Sequence, residues 1–342
     1  MLFETFLGQH PKNFFKMILI FSNRFDQSTN NVMDWLNFMG QKTLRINGDE
    51  DRYSFHHLDP SGIYFKSNNN GRLFNLEEAK SCWWRRQGIY TSKMVNMPNV
   101  LLDNELKPFM LSGNQWLNLE ASRLRDYIYF RLYKKIPINL GKPSFDFNRL
   151  EILELAKQCG LDIPKFAIVR NMNEINEYCK LWGNCVSKAI SNGLYNEINH
   201  KRFYTYTELI EKDDLAEDIN IFPSLISECV EKAYEVRSFY LNGHFFSMSI
   251  FSQKDELTKI DFRKYANNRN EPFNLPDEVK MKTRKLFEMI GINTGSIDYM
   301  VNLKGNFIFL EINPVGQYGM TDYPCNYGID YKIAKYLCGD GN

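Results

Sequence analysis

Apolar runs and helix-spaced stripes alternate along the chain from residue 17 onward. Residues 18–21 are continuously apolar and read as a buried strand. Val32, Trp35, Leu36 and Met39 then recur at helical spacing, with Thr29 or Asn30 to cap the helix and Gly40 to stop it. A second strand follows at 44–47, and strand, helix, strand in that order predicts a parallel βαβ unit. Residues 61–65 and 71–76 flank a polar stretch as a hairpin. Leu117, Leu124, Ile128 and Leu132 mark an amphipathic helix over 116–135, whose terminal Lys134 and Lys135 complement the helix dipole.

Two prolines and a glycine in 136–143 punctuate the chain, and a domain boundary is placed there. A helix is expected over 145–160, capped by Asp146 or Asn148, with Leu150, Leu153, Leu155 and Ala156 apolar and Gly160 as its stop. Residues 185–190 read as a strand carrying one lysine, Lys188. Asn242-Gly243 between two aromatic-rich runs is a strong hairpin signal, and Val236 heads the first of those strands. A helix over 276–291 then leads into a last hairpin, 296–301 and 307–312, about the turn 302–306.

That last hairpin carries the candidate chemistry. Glu311 and Asn313, two residues apart, project from one strand face, and closure at the turn brings Asp298 to the same level on its neighbour. Two carboxylates and an amide are hard oxygen ligands that suit Mg²⁺. The alternative is a surface hairpin with solvated polar groups. Lys188 has two readings as well, a phosphate partner or an edge lysine reaching to solvent. The run Trp83-Trp84-Arg85-Arg86 is either a core strand whose arginines pair with local acids or a cationic ledge at a domain interface.

Composition narrows the classes. A chain of 342 residues is long enough for two or three domains with a sizeable core. Its formal net charge of +1 argues against a general nucleic-acid binder. The seven cysteines show no CxxC spacing, which fits reduced, buried thiols in a cytoplasmic protein. No apolar run reaches the length of a membrane span, and neither a P-loop nor a Ser-His-Asp order presents itself. Residues 1–16 are expected to be an extension ahead of a fold that begins at Met17.

Asp298, Glu311-x-Asn313 and the following Pro314-x-Gly316-Gln317 together resemble the metal-binding end of the ATP-grasp ligases. The text FLEINPVGQYGM, with Ser252-Gln253 and Asp261-x-Arg263 upstream, resembles the graspetide branch, which joins peptide side chains through ester or amide links. Within it, Gln317-Tyr318-Gly319-Met320 is similar to the grasp-with-SPASM maturases. The resemblance implies an α/β ATP-grasp fold: an N-terminal α/β domain over 17–140, a central domain over 141–227 and a C-terminal domain over 228–342, the last two sandwiching nucleotide. It implies ATP and Mg²⁺ as cofactors, with Asp298, Glu311 and Asn313 as metal ligands. It matches Glu228, Cys229 and Val230 to the hinge that reads adenine, and Glu235 to the acid on the ribose. Arg149, where relatives usually carry a lysine, and Lys188 would reach the phosphates. Arg237 and Arg263 would face the γ-phosphate or acyl phosphate, unless they pair a structural carboxylate such as Asp261 or Glu235.

The implied activity links Asp or Glu side chains of a ribosomally made precursor peptide to Ser, Thr or Lys side chains, with the peptide's leader docked on the central domain. A SPASM-domain partner and a homo-oligomeric state, dimer or tetramer, are further expectations of the resemblance. Two other readings stay open: an ATP-grasp amino-acid ligase acting on a protein tail or small molecule, and a non-catalytic nucleotide-binding regulator.

Overall fold

The computed structural model describes residues 17–93, 107–143, 147–191, 193, 195–198, 201–204, 207–210, 219–253 and 268–340. The expected extension over 1–16 lies outside them, as do Asp146, Asp261 and Arg263. The chain divides into two compact units, Met1–Phe145 with Ile329–Asn342, and Asp146–Gly328.

The first unit begins as a βαβ: β1 (Ile18–Ser22), α1 (Gln27–Phe38) and β2 (Thr43–Asn47), with β1 and β2 parallel. Helix α1 starts earlier than expected. Its cap is Asp26, which accepts from the Thr29 N–H at 3.0 Å, while Thr29 itself lies inside the helix and bonds to Ser22 Oγ. The expected hairpin is part of a three-stranded antiparallel sheet, β3 (Tyr53–Asp59), β4 (Gly62–Ser67) and β5 (Leu73–Asn75). β6 (Ser81–Trp84) is buried along its whole length and pairs in parallel with β1. Helix α2 (Lys107–Lys135) begins well before residue 116, because Pro108 is tolerated in a first turn. β7 (Ile138–Leu140) completes the parallel sheet β2-β1-β6-β7.

Phe21 stacks on Trp84 with ring centroids 4.9 Å apart at the centre of this core. Gly88 is required there: its φ is +67°, and a Cβ would meet the Phe21 ring at 2.4 Å. Arg85 and Arg86 follow β6 and both pair with Asp26, at 3.2 and 3.0 Å, so the tryptophan–arginine run is a core strand whose arginines meet a local acid. Burial works to raise the Asp26 pKa, but the two arginines and the Thr29 N–H outweigh it and hold the carboxyl below its usual value.

The second unit opens with α3 (Arg149–Gln158), capped by Asn148, whose side chain accepts from the Leu150 N–H. β8 (Phe166–Asn171), α4 (Met172–Trp182), β9 (Cys185–Lys188), β10 (Tyr195–Ile198), β11 (Lys201–Tyr204), β12 (Glu208–Leu209) and β13 (Asn220–Glu228) follow. Among them β12-β9-β13-β8 form one antiparallel sheet and β10-β11 a separate ribbon. β14 (Lys232–Leu241) starts four residues before the expected head at Val236, and joins β15 (His244–Phe251) through Asn242 and Gly243, both at positive φ. β16 (Arg269–Phe273), α5 (Asp277–Ile290), β17 (Thr294–Asn302), β18 (Phe307–Asn313) and α6 (Gly319–Cys325) complete the unit.

The five-stranded sheet runs β16-β15-β14-β17-β18. Its apolar face packs Tyr240, Tyr299 and Phe309 against Leu153 and Ala156 of α3 and Leu286 and Phe287 of α5, with Tyr240 and Phe287 stacked at 4.0 Å. The chain ends in α7 (Ile329–Cys338), which belongs to the first unit, where Asp330 accepts from Asn31 and Tyr331 meets Trp35 edge-on. Among the described residues no helix is long and apolar enough to cross a membrane.

Candidate active site

Three antiparallel strands place the charged residues by register. Arg237 on β14 is the partner of Asp298 on β17, and Asp298 is the partner of Glu311 on β18. Paired residues share a face, so cation and carboxylates stand in one row. Beyond Asp298 the β17–β18 pairing slips by one residue at Leu310, a bulge that bends β18 beside the row. Arg237 Nη1 donates to both Asp298 oxygens, at 3.1 and 2.9 Å, and both side chains are buried.

Glu311 gathers the second half of the cluster. Its Oε2 accepts from Arg149 Nη2 at 3.0 Å and from Lys188 Nζ at 2.9 Å. Arg149 also donates to the carbonyls of Ala189 and Ser191, using the guanidinium fork to tie the start of α3 to the end of β9. Lys188 is therefore an inward-facing partner of a carboxylate, and its strand ends at that residue. Three cations, Arg149, Lys188 and Arg237, meet two carboxylates, Asp298 and Glu311, in this cluster.

The cluster borders a cleft that is partly open to solvent. Arg149, Lys188, Asp298 and Glu311 form its polar end, while Leu153, Phe166, Val186, Leu225, Met300 and Leu310 supply apolar walls. Glu228, Cys229 and Val230 line it where β13 ends. The Glu228 N–H donates to Lys165 O and the Cys229 N–H to Asn184 O, so two of these three amides are committed to backbone carbonyls. The Glu228 carboxylate accepts from the Lys165 N–H at 2.9 Å. Cys185, the partner of Glu228 across the strands, is pushed up to about 12 by burial and then by the Cys179 thiol. It stays a thiol at neutral pH and supplies no nucleophile.

Asn313 lies beside rather than in the cleft wall. Its side-chain oxygen accepts from the Val315 N–H at 3.1 Å, and its carbonyl accepts from the Gly316 N–H, which shapes the turn after β18. Among the described residues no three His, Cys, Asp or Glu side chains are grouped to hold a metal ion. Two adjacent carboxylates nonetheless fit Mg²⁺, which is commonly held by one or two carboxylates with phosphate oxygens and water completing its shell. Arg237 is not itself in the wall and reaches the cleft through Asp298.

Glu235, expected at the ribose, does line the cleft, but nothing in the sequence marked its buried partner Lys232. Lys232 donates to Glu235, and their side chains are 3% and 7% exposed. A lysine next to Glu231 reads as part of a polar link, and its three-residue spacing from Glu235 reads as opposite faces of a strand.

Neither family models nor curated proteins match the sequence. Solved structures match over nearly the whole chain. The Chryseobacterium gregarium RiPP-associated ATP-grasp ligase, in complex with ADP and a leader and core peptide, superimposes with a TM-score of 0.74 at 21% identity, covering 96% of this chain and 98% of that one. The macrocyclase MdnC of Microcystis aeruginosa MRC, bound with precursor peptide MdnA, gives 0.73 at 21% identity over 94% and 99%. The ATP-grasp ligase PsnB, complexed with minimal precursor, Mg and ADP, gives 0.71 at 16% identity over 98% and 100%. At these identities the likeness is one of fold, and it extends from the parallel sheet of the first unit to the five-stranded sheet of the second. The chain has the ATP-grasp fold.

Proposed function

We propose that this chain is an ATP-dependent ligase that activates an Asp or Glu side chain of a ribosomally made precursor peptide and links it to a Ser, Thr or Lys side chain. The observation that carries this reading is the row Arg237–Asp298–Glu311 with Arg149 and Lys188, standing at the polar end of a cleft with apolar walls. Structures of similar fold hold ADP, Mg and precursor peptides, which supports the same ligand classes here. A SPASM-domain partner and a dimeric or tetrameric state remain parts of the proposal that rest on the motif resemblance alone.

In this reading the apolar walls take the adenine, Glu235 takes the ribose, and the phosphates lie towards Arg149, Lys188 and Arg237. Asp298 and Glu311, with Asn313, would hold Mg²⁺, which supplies charge neutralisation at the phosphate oxygens. A peptide carboxylate oxygen attacks the γ-phosphorus, the bond to the ADP oxygen breaks, and an acyl phosphate forms. The acceptor hydroxyl or amine then attacks the acyl carbon, loses its proton, and inorganic phosphate departs. Both steps are governed by positioning and charge, since no side chain here forms a covalent adduct. Arg263, outside the described residues, stays a candidate for the acyl phosphate.

The test is the intact mass of a candidate precursor peptide after incubation with the protein, ATP and Mg²⁺. The proposal expects loss of one water per link, dependent on ATP. ADP release with an unchanged peptide mass would overturn the choice of acceptor, and no ADP release would overturn the ligase reading.

A further inference from the structure

Lys232 and Glu235 stand three residues apart at the start of β14. In a regular strand that spacing sends two side chains to opposite faces. The pairing of β14 with β17 slips at this point, from Lys232 opposite Asn302 to Tyr234 opposite Val301, so Ala233 is an extra residue. The bulge reverses the alternation and turns Lys232 onto the face of Glu235, where its Nζ donates to Glu235 Oε1. Past the bulge the strand is regular: Glu235 is the partner of Met300, and Arg237, two residues on, is the partner of Asp298. One face of β14 and β17 therefore carries both the buried pair and the phosphate-end charges.

A lysine is rarely enclosed, and a buried ion pair contributes little stability over apolar side chains of the same volume. Its place in the wall of the cleft is thus the informative fact. An ionised carboxylate only accepts hydrogen bonds and can take two neighbouring hydroxyl donors, provided its rotamer is fixed. The terminal torsion of a glutamate is broad, and an ammonium held by strand backbone narrows it.

We infer that Lys232 is a positioning residue that fixes the Glu235 carboxylate to accept the hydroxyls of a ribose, giving the cleft its preference for ribonucleotides over 2′-deoxyribonucleotides. The inference rests on the nucleotide reading of the cleft given above. Lys232 acts through Glu235 and contacts no reacting atom.

The test compares the affinities of the full chain for Mg-ADP and Mg-2′-deoxy-ADP by titration calorimetry. Wild type is expected to favour the ribonucleotide by about tenfold or more, the scale of a hydrogen bond to a charged group. Lys232→Met and Glu235→Gln should each bring the ratio close to one, with Mg-ADP losing more affinity than the deoxynucleotide, which has only its 3′-hydroxyl to lose contact. The double variant should do no worse than Glu235→Gln alone, because the two residues act as one unit. Lys232→Arg, which keeps the charge, should restore part of the preference. Equal weakening of both nucleotides by Lys232→Met, with the ratio retained, would reduce the pair to a structural role and overturn the inference. Should Lys232→Met fail to fold, Lys232→Gln, a shorter neutral side chain, decides on the same ratio, and a wild-type preference kept in it overturns the inference. Wild type that binds Mg-ADP without preference overturns this inference alone; wild type that binds neither nucleotide overturns the nucleotide reading with it.

Discussion

Two clusters in this molecule use the same chemistry to different ends. In the first unit Asp26 sits between Arg85 and Arg86; in the second Glu311 sits between Arg149 and Lys188. Asp26 and Arg85 are only 4% and 3% exposed, and the carboxylate also caps a helix, so its acceptor capacity is spent on the fold. Glu311 is 25% exposed and borders a cleft in which a second carboxylate, Asp298, stands beside it. Two cations on a carboxylate are thus equipment for a site only where a cavity gives a ligand access to them. Where Arg85 lies over the Trp83 ring and the carboxylate caps a helix, the same trio serves the fold.

The largest expected effect separates the clusters by turnover. Glu311→Gln should lower the rate of ADP formation by roughly 10²–10³-fold, the scale of losing a group that organises transition-state charge. Thermal melting should move little, and a melt that collapses would place Glu311 with Asp26 as a structural residue. The converse experiment is Asp26→Asn. It breaks a buried pair and should cost about 3–5 kcal/mol in denaturant unfolding, while turnover per folded molecule stays unchanged.

The same pair sets a pH dependence. The native Asp26 pKa lies below its usual value, so the carboxylate's contribution is complete above the unfolded value of about 3.9 and is lost as pH falls through the native one. The stability gap between wild type and Asp26→Asn should therefore be constant near neutrality and narrow only at strongly acidic pH. A gap that narrows between pH 6 and pH 8 would contradict the assignment. The smallest effect is expected of Arg149→Lys, which keeps the charge on Glu311 but loses the fork to Ala189 and Ser191. A rise in the KM for ATP of about three- to tenfold, with kcat little changed, is the expected signature.

Much of the fold was legible because local rules and tertiary structure agree. The βαβ start, the Asn242-Gly243 hairpin and the hairpin that aligns Asp298 with Glu311 all follow from periodicity and turn residues. What escaped the sequence breaks those rules. The bulges at Ala233 and Leu310 shift the phase of alternation by one, which no period-two pattern displays, and one of them hides Lys232. Asp26 was passed over as a cap because its other partners, Arg85 and Arg86, lie about sixty residues away in sequence and reach it only through the parallel pairing of β6 with β1. Strand β3 was missed because its residues alternate only between half-buried and exposed, so hydrophobicity gives it no contrast.

The central claim is that a peptide carboxylate is activated by phosphoryl transfer in this cleft. The most direct measurement labels the acidic side chains of the precursor peptide with ¹⁸O and follows the label during turnover with ATP and Mg²⁺. Transfer through an acyl phosphate predicts one ¹⁸O in the inorganic phosphate released for each link formed. Phosphate released without label while links accumulate would contradict the account.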